Sequence, residues 1–245
     1  MNTILRTTCW WIAGVAVIAI STPGCAAQGT TNGIRPTDTF TQTGSKSLPA
    51  LLNPDQATLK APPEFLAVFK TTKGDFTVKV TRAWAPHGAD RFYNMIKSGY
   101  FDSDIAIFRA IEGFMFQFGI HGDPEVNAKW ANATIPDDPA VGISNTPETL
   151  SFAQTQLPNS RSVQMFVNMG MNSALDQPQG RTGAPFVPFG KIVKGSDVLR
   201  KINTEYGENP RGENIQGNFK AKGNAYILER FKRIDLIKSV TVIQE

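Results

Sequence analysis

The chain has 245 residues, 41% of them hydrophobic and 19% charged, which is the composition of a globular protein and not of a disordered one. The length suits one sizeable domain with appendages. The formal net charge of +4 is too mild an excess to imply a nucleic-acid partner, and none is expected. Sixteen phenylalanines call for a ring-rich core or a surface pocket lined with rings.

The N-terminus reads as an export signal over residues 1–27. Arg6 supplies the positive charge, and Trp10 to Ile20 forms an uncharged, mostly apolar run. Small residues and a proline follow, from Ser21 to Ala27. The run is shorter than the ~20 apolar residues of a membrane span, and no other stretch approaches that length. The two cysteines are Cys9, inside this run, and Cys25, at its end, so the body of the protein has no disulfide. Cys25 admits two readings. Gly24-Cys25 after an apolar run resembles a bacterial lipoprotein signal, in which the cysteine is lipidated. The other reading is ordinary cleavage after Ala27. Either makes the protein an exported one, periplasmic or anchored at a membrane through Cys25.

Residues 28–63 read as a flexible tether rich in Thr, Ser, Gly and Pro, without apolar periodicity. As a coil it would span roughly 30–35 Å. The domain proper is expected over 64–245. Leu66 to Phe69 is strand-like, and Phe76, Val78 and Val80 alternate with polar residues beyond Lys73-Gly74-Asp75, which predicts a hairpin. A helix is predicted over 88–98, with Phe92, Met95 and Ile96 on one side and Gly99 as its cap. Strands are then expected over 105–111 and 114–118, with a turn at Glu112-Gly113. Further strands are predicted over 149–153, 162–168 and 189–193, a short helix over 197–202 behind Ser196, and a closing strand over 237–243. The segment 205–231, with Gly207, Gly212, Gly217 and Gly223, reads as long loops. Many short strands with two short helices predict a mainly β protein, a closed or nearly closed antiparallel barrel.

The familiar catalytic sets are missing. His87 and His121 are the only histidines and the domain has no cysteine, so a nucleophilic triad would have to use one of those two, and neither sits in a nucleophile elbow. His121-Gly122-Asp123 alone lacks the spacing of a metal site, and no metal or cofactor is expected. No glycine-rich phosphate cradle occurs. A hydrolase built on His121 is a remote alternative. Phe108-Arg109 and the run Gly113-Phe114-Met115-Phe116-Gln117-Phe118-Gly119 stand out instead. Strand alternation puts Arg109 on the face opposite Phe108 and pairs Gln164 with Phe166 against Met165 with Val167.

Ala85-Pro86, Arg91-Phe92-Tyr93-Asn94, Gly99-Tyr100-Phe101, Phe108-Arg109, Gly113 to Gly119 and Gly122-Asp123-Pro124 follow one another in an order and spacing that resemble the cyclophilin family of peptidyl-prolyl cis/trans isomerases (EC 5.2.1.8). Leu150 to Ala153, Gln164 to Val167, Leu175-Asp176 and Phe189 to Val193 continue the pattern. The resemblance implies a closed eight-stranded antiparallel barrel with two helices that binds X-Pro peptides in a groove on its outer face. Carried over by position, Arg109 is the catalytic arginine. Phe114, Met115, Phe166 and Leu175 line the proline pocket, and Gln117, Ala153 and Gln164 border the groove. Phe186 stands where eukaryotic members carry a pocket histidine, Ala174 where they carry a tryptophan, and Gln154 where an asparagine is usual. An insertion over 177–185 separates Leu175-Asp176 from Phe186. The implied partners are proline-containing polypeptides, and the protein is expected to act as a monomer that assists folding of exported proteins. A non-catalytic peptide-binding or scaffold protein on the same barrel is the rival reading, motivated by Ala174 and the insertion.

The residue set suits the reaction. Rotation about an X-Pro bond faces amide resonance, a barrier of about 18–20 kcal/mol, and takes roughly tens to hundreds of seconds unaided. No bond breaks, so neither nucleophile nor metal is needed. An apolar pocket that grips the ring and a rigid cationic donor that favours the twisted amide are enough.

Overall fold

The computed structural model describes residues 49–180, 183–208 and 214–243. The expected export signal, Cys25 and the first part of the tether lie outside them.

Alternation of apolar side chains makes the first hairpin. Strand β1 (Glu64–Thr71) buries Phe65, Ala67 and Phe69, and β2 (Gly74–Thr81) buries Phe76, Val78 and Val80. Thr71 pairs with Gly74, leaving the two-residue turn Thr72-Lys73, and Gly74 leaves that turn at φ +120°. Helix α2 (Pro86–Lys97) opens on a proline, which lacks the N–H that the first turn would leave unpaired. Asp138 accepts from the backbone N–H groups of His87 (2.8 Å) and Gly88 (2.9 Å) at that end. Gly99, at φ +77°, turns the chain out of the helix.

The remaining strands are β3 (Ile105–Ala106), β4 (Arg109–Ile111), β5 (Met115–Phe118), β6 (Thr149–Phe152), β7 (Met165–Asn168), β8 (Pro188–Lys194) and β9 (Leu236–Ile243). They form one antiparallel sheet in the order β3-β9-β1-β2-β8-β6-β7-β5-β4. The two terminal members of that order, β3 and β4, are consecutive pieces of one chain segment, parted only by Ile107 and Phe108. The sheet thus curls until one bent strand serves both ends. Counted as one, as the sequence suggested for 105–111, the two pieces leave the expected eight strands. The break has a cause: Ile107 still donates to Asp235 beside β9 (2.8 Å), while Arg109 pairs with Gln117 of β5. One short segment cannot face both partners without bending.

Inside lies a core of rings. Phe69 stacks on Phe76 with centroids 4.6 Å apart, and Phe92 of α2 meets Phe69, Phe101 and Phe189. Each such ring, fully buried, is worth about 1.5–3 kcal/mol in transfer from water.

The helices exceed the expected two. The predicted 88–98 helix is α2, and the predicted 197–202 helix is a 3₁₀ helix, Ser196–Lys201. Between them, α3 (Pro124–Asn132) starts at Asp123, whose carboxylate accepts from Glu125 N–H at 2.8 Å. Val126 and Trp130, four residues apart, bury its inner face. The largest correction falls in 205–231, where Ile215–Arg230 forms α4, two helical stretches joined at a kink on Gly223, in place of the expected long loops. Ile215, Phe219 and Ile227 pack on Phe108 and Ile120. Gly223 serves close approach here. Its φ is +63°, and a Cβ on it would stand 2.1 Å from the carbonyl oxygen of Gly122.

From Pro49 on, the stretch read as tether is packed on the domain. A single-turn helix α1 (Pro49–Leu52) offers the Leu51 carbonyl to Trp130 Nε1 at 2.8 Å. Leu59 N–H donates to Asn94 Oδ1 (2.9 Å) and Ala61 N–H to Asp90 Oδ1 (2.8 Å), and Ala61 is buried. Side chains of α2 and α3 supply the order that composition alone does not.

Candidate active site

Four neighbouring strands, β4, β5, β7 and β6, turn alternate residues inward and outward. Ala110, Phe116, Phe118, Leu150, Phe152, Met165 and Val167 belong to the barrel core. The alternate residues Ile111, Met115, Ala153 and Phe166 gather into a separate apolar cluster with Phe114, Leu175 and Phe186. The structure brings together the expected pocket residues Phe114, Met115, Phe166, Leu175 and Phe186, along with Ala153 from the expected groove border. Phe186 meets Phe166 edge to face, centroids 5.4 Å apart. Phe108 departs from the simple alternation. The bend at 107–108 puts it in the cluster under α4, while Ala110 takes the inward position.

The polar side of the site is a chain of three side chains across three segments. Arg109 and Gln117 are register partners on β4 and β5, and Arg109 Nη1 donates to Gln117 Oε1 at 3.0 Å. Gln117 Nε2 donates onward to Gln164 Oε1 at 2.8 Å. The guanidinium carbon lies 5.8 Å from the centre of the Phe114 ring, and Met115 Sδ lies 3.9 Å from Nη1. Arg109 is only 5% exposed, and its Nε–H is buried without a partner. Burying an unpaired donor costs free energy, so a guanidinium kept in this state is set for an acceptor. Its Nη2 is held at 2.5 Å by Glu208, a carboxylate the sequence did not single out. No sequence signal marks Glu208, since it reaches the site from the far side of the chain.

A buried polar web holds the pocket wall. Asp176 accepts from Ser144 Oγ and, at 2.8 Å each, from the backbone N–H and side-chain amide of Asn145. Asn145 also donates to the Phe186 carbonyl (2.8 Å), and its Oδ1 accepts from Ser151 and Asn168. Burial raises the Asp176 carboxyl, but the Ser144 hydroxyl and the Asn145 amides outweigh it and hold the group below the usual carboxylate range. The insertion at 177–185 leaves the wall intact because its ends are tied: Phe186 N–H donates to the Leu175 carbonyl at 3.0 Å. Gln154, next to Ala153, donates to the Ala184 carbonyl and fastens the loop to the end of β6. Ala174 is exposed beside Leu175 and leaves that rim low.

His121 takes no part in this site. Its Nδ1 accepts from Asp123 N–H (3.0 Å) and its Nε2 meets Ser103 Oγ (2.9 Å), which makes it a buried structural imidazole. Among the described residues, no group of three or more His, Cys, Asp or Glu side chains is placed to hold a metal ion.

An apolar cluster on the strand face opposite the core, flanked by a buried arginine and two glutamines on an antiparallel barrel, matches the plan of a prolyl isomerase. Comparison with known proteins agrees. Residues 66–221 match the family model of cyclophilin type peptidyl-prolyl cis-trans isomerases. A peptidyl-prolyl cis-trans isomerase of Acinetobacter baylyi is 33% identical over 133 residues, covering 54% of this chain and 69% of the relative. Peptidyl-prolyl cis-trans isomerase B of Escherichia coli is 31% identical over 138 residues, covering 56% and 83%. A crystal structure of a Cryptosporidium parvum cyclophilin type isomerase superposes with a TM-score of 0.54 at 18% identity, covering 74% of this chain and 99% of that one. The chain belongs to the cyclophilin-type peptidyl-prolyl cis-trans isomerase family.

Proposed function

We propose that this chain catalyses cis/trans isomerisation of X-Pro bonds in polypeptides, with Arg109 as the catalytic residue, and that it serves the folding of exported proteins. The observation that carries the reading is the buried Arg109 guanidinium, oriented by Gln117 and bearing an unpaired Nε–H beside the pocket of Phe114, Met115, Phe166, Leu175 and Phe186. A pyrrolidine ring held among those side chains stays fixed while the preceding carbonyl turns. As the amide twists, the proline nitrogen loses conjugation and gains basicity, and a charged donor stabilises that state more than the planar one. Only such differential stabilisation speeds the rotation. Gln117, Gln164 and Ala153 are assigned to the border of the groove along which a peptide backbone would lie. A related structure was determined in the presence of the dipeptide Ala-Pro, which supports proline-containing peptides as the ligand class. The export signal read over 1–27 supports a periplasmic or Cys25-anchored location, and the protein is proposed to act as a monomer.

The test is exchange NMR on a short Ala-Pro-Phe-type peptide with the full chain and its Arg109→Ala variant. Acceleration by the first and a large loss in the second support the reading. A folded wild-type protein that leaves the exchange rate unchanged would replace the enzyme with a peptide-binding module. Mass spectrometry of the mature N-terminus separates an acylated Cys25 from a free Gln28.

A further inference from the structure

Glu208 is delivered to Arg109 by a built arm that begins at Asn203, just past the Ser196–Lys201 3₁₀ helix. Asp235 accepts from Asn203 N–H at 2.7 Å and fixes the start of the arm. Gly207 N–H donates to the Thr204 carbonyl (3.0 Å), closing a turn with Gly207 at φ +58°. Gly207 then bridges Ala110 in antiparallel fashion, so the arm adds briefly to the outer side of β4. Tyr206 anchors it: its ring meets Phe231 edge to face at 5.2 Å, and its hydroxyl accepts from Arg233 N–H at 3.1 Å. The next residue, Glu208, therefore falls beside Arg109, the neighbour of Ala110. The pair is lopsided: the Arg109 side chain is 5% exposed and that of Glu208 45%.

We propose that Glu208 is a specificity-determining residue of the isomerase site. Its carboxylate is a built-in ligand of Arg109 that an entering carbonyl must displace. Once displaced, it stands half-exposed at the groove rim and selects substrates by charge. A cationic residue flanking the proline takes over the carboxylate that Arg109 releases. An acidic one faces repulsion and competes with Glu208 for the same guanidinium. The preferred substrate class is therefore X-Pro segments with Lys or Arg beside the dipeptide. Pairing at a half-exposed carboxylate is screened by salt, so the preference is strongest at low ionic strength.

The inference rests on the isomerase reading of the same groove, and two readouts keep the two apart. Peptides with Lys, Gln or Glu before the proline, and a second series with the same residues after it, are measured for exchange catalysis and for binding by NMR titration. The protein is the full chain as wild type, Glu208→Gln and Glu205→Gln. Glu205 pairs with Arg233 on the same arm, so its variant removes the same net charge at a different place. In at least one series the wild type is expected to favour Lys over Glu on the order of tenfold at low salt, each charge contributing up to about fivefold. Glu208→Gln is expected to shrink that ratio to within about twofold and to tighten binding of the neutral peptide, while Glu205→Gln keeps the ratio. A ratio unchanged in Glu208→Gln in both series overturns the proposal, as does equal neutral-peptide affinity in wild type and Glu208→Gln, or an equal effect of Glu205→Gln. Binding selectivity without catalysis would sustain the role of Glu208 in selection and remove the isomerase reading alone.

Discussion

Arg109 and Gln117 face each other across β4 and β5, and the hydrogen bond between them, 3.0 Å from Nη1 to Oε1, fixes the direction in which the guanidinium points. Gln117 is itself held by Gln164 at 2.8 Å. The catalytic group is thus positioned by a ladder of side chains whose backbones are already locked in register, and little reorganisation remains at the moment of reaction.

Arg109→Ala should lower kcat/KM by about 10²–10³, the usual effect of deleting one preorganised donor. Arg109→Lys keeps the charge but loses the planar fork, and should recover only part of the loss. Gln117→Ala should leave the guanidinium free to reorient and reduce kcat/KM about tenfold, close to the worth of a hydrogen bond to a charged group. Exchange NMR on one peptide measures all three.

Asp176 carries the pocket wall without touching the ring site. Asp176→Ala strips the acceptor from Ser144 Oγ and from both Asn145 donors. The expected outcome is a rise in KM with a smaller change in kcat, because Leu175 and Phe186 lose their fixed spacing, and a stability loss of about 1–3 kcal/mol. Since the folded carboxyl lies below its ordinary value of 3.8, its contribution is complete above that pH and disappears as pH falls through the lower folded value. Kinetics with urea titration of the same variant check both parts.

Asp138 and Arg161 are a buried ion pair, 2.8 Å apart with side chains 0% and 3% exposed, and Asp138 also caps the start of α2 through His87 and Gly88. Removing one partner leaves a charge buried and two helix N–H groups open. Asp138→Ala should cost about 3–5 kcal/mol, read by denaturant unfolding. The double variant Asp138→Ala/Arg161→Met should recover part of that loss.

His121 is buried, which pushes its imidazole below the ordinary value of 6.5. Nδ1 already accepts from Asp123 N–H, so a proton there would set two donors against each other. Stability should be full above about pH 6.5 and decline as pH falls toward the lower folded value, with a slope of up to about 1.4 kcal/mol per pH unit. His121→Asn should flatten that decline. Urea midpoints between roughly pH 7.5 and 5.5 make the comparison, on the scale of one proton per molecule.

Sequence reasoning reached the strands because a half-buried strand writes its burial into every second residue. Phe65/Ala67/Phe69 and Phe76/Val78/Val80 are legible one by one. It reached the pocket by resemblance: Arg109, Met115, Gln117 and Phe166 all occupy outward positions whose inward neighbours fill the barrel. It read all of 205–231 as loops from its glycines, whereas Gly217 sits inside the helical turns and only Gly223 interrupts them, where the chain approaches the Gly122 carbonyl. It also let the tether run to residue 63, because the partners that order Leu51, Leu59 and Ala61 are Trp130, Asn94 and Asp90, all distant in the chain.

The sequence by itself determined the local alternation, the hairpin, the Gly99 turn that ends α2 and the chemical kinds gathered at the site, since each depends on near neighbours or on residue type. Only the tertiary structure decided that one bent strand serves both ends of the sheet, that the 177–185 insertion closes on itself between Leu175 and Phe186, and that Glu208 meets Arg109 from 99 residues away. Those contacts arise from the curvature of the sheet and the docking of α4. Both are sums over many weak packing terms, and no short stretch of sequence carries them.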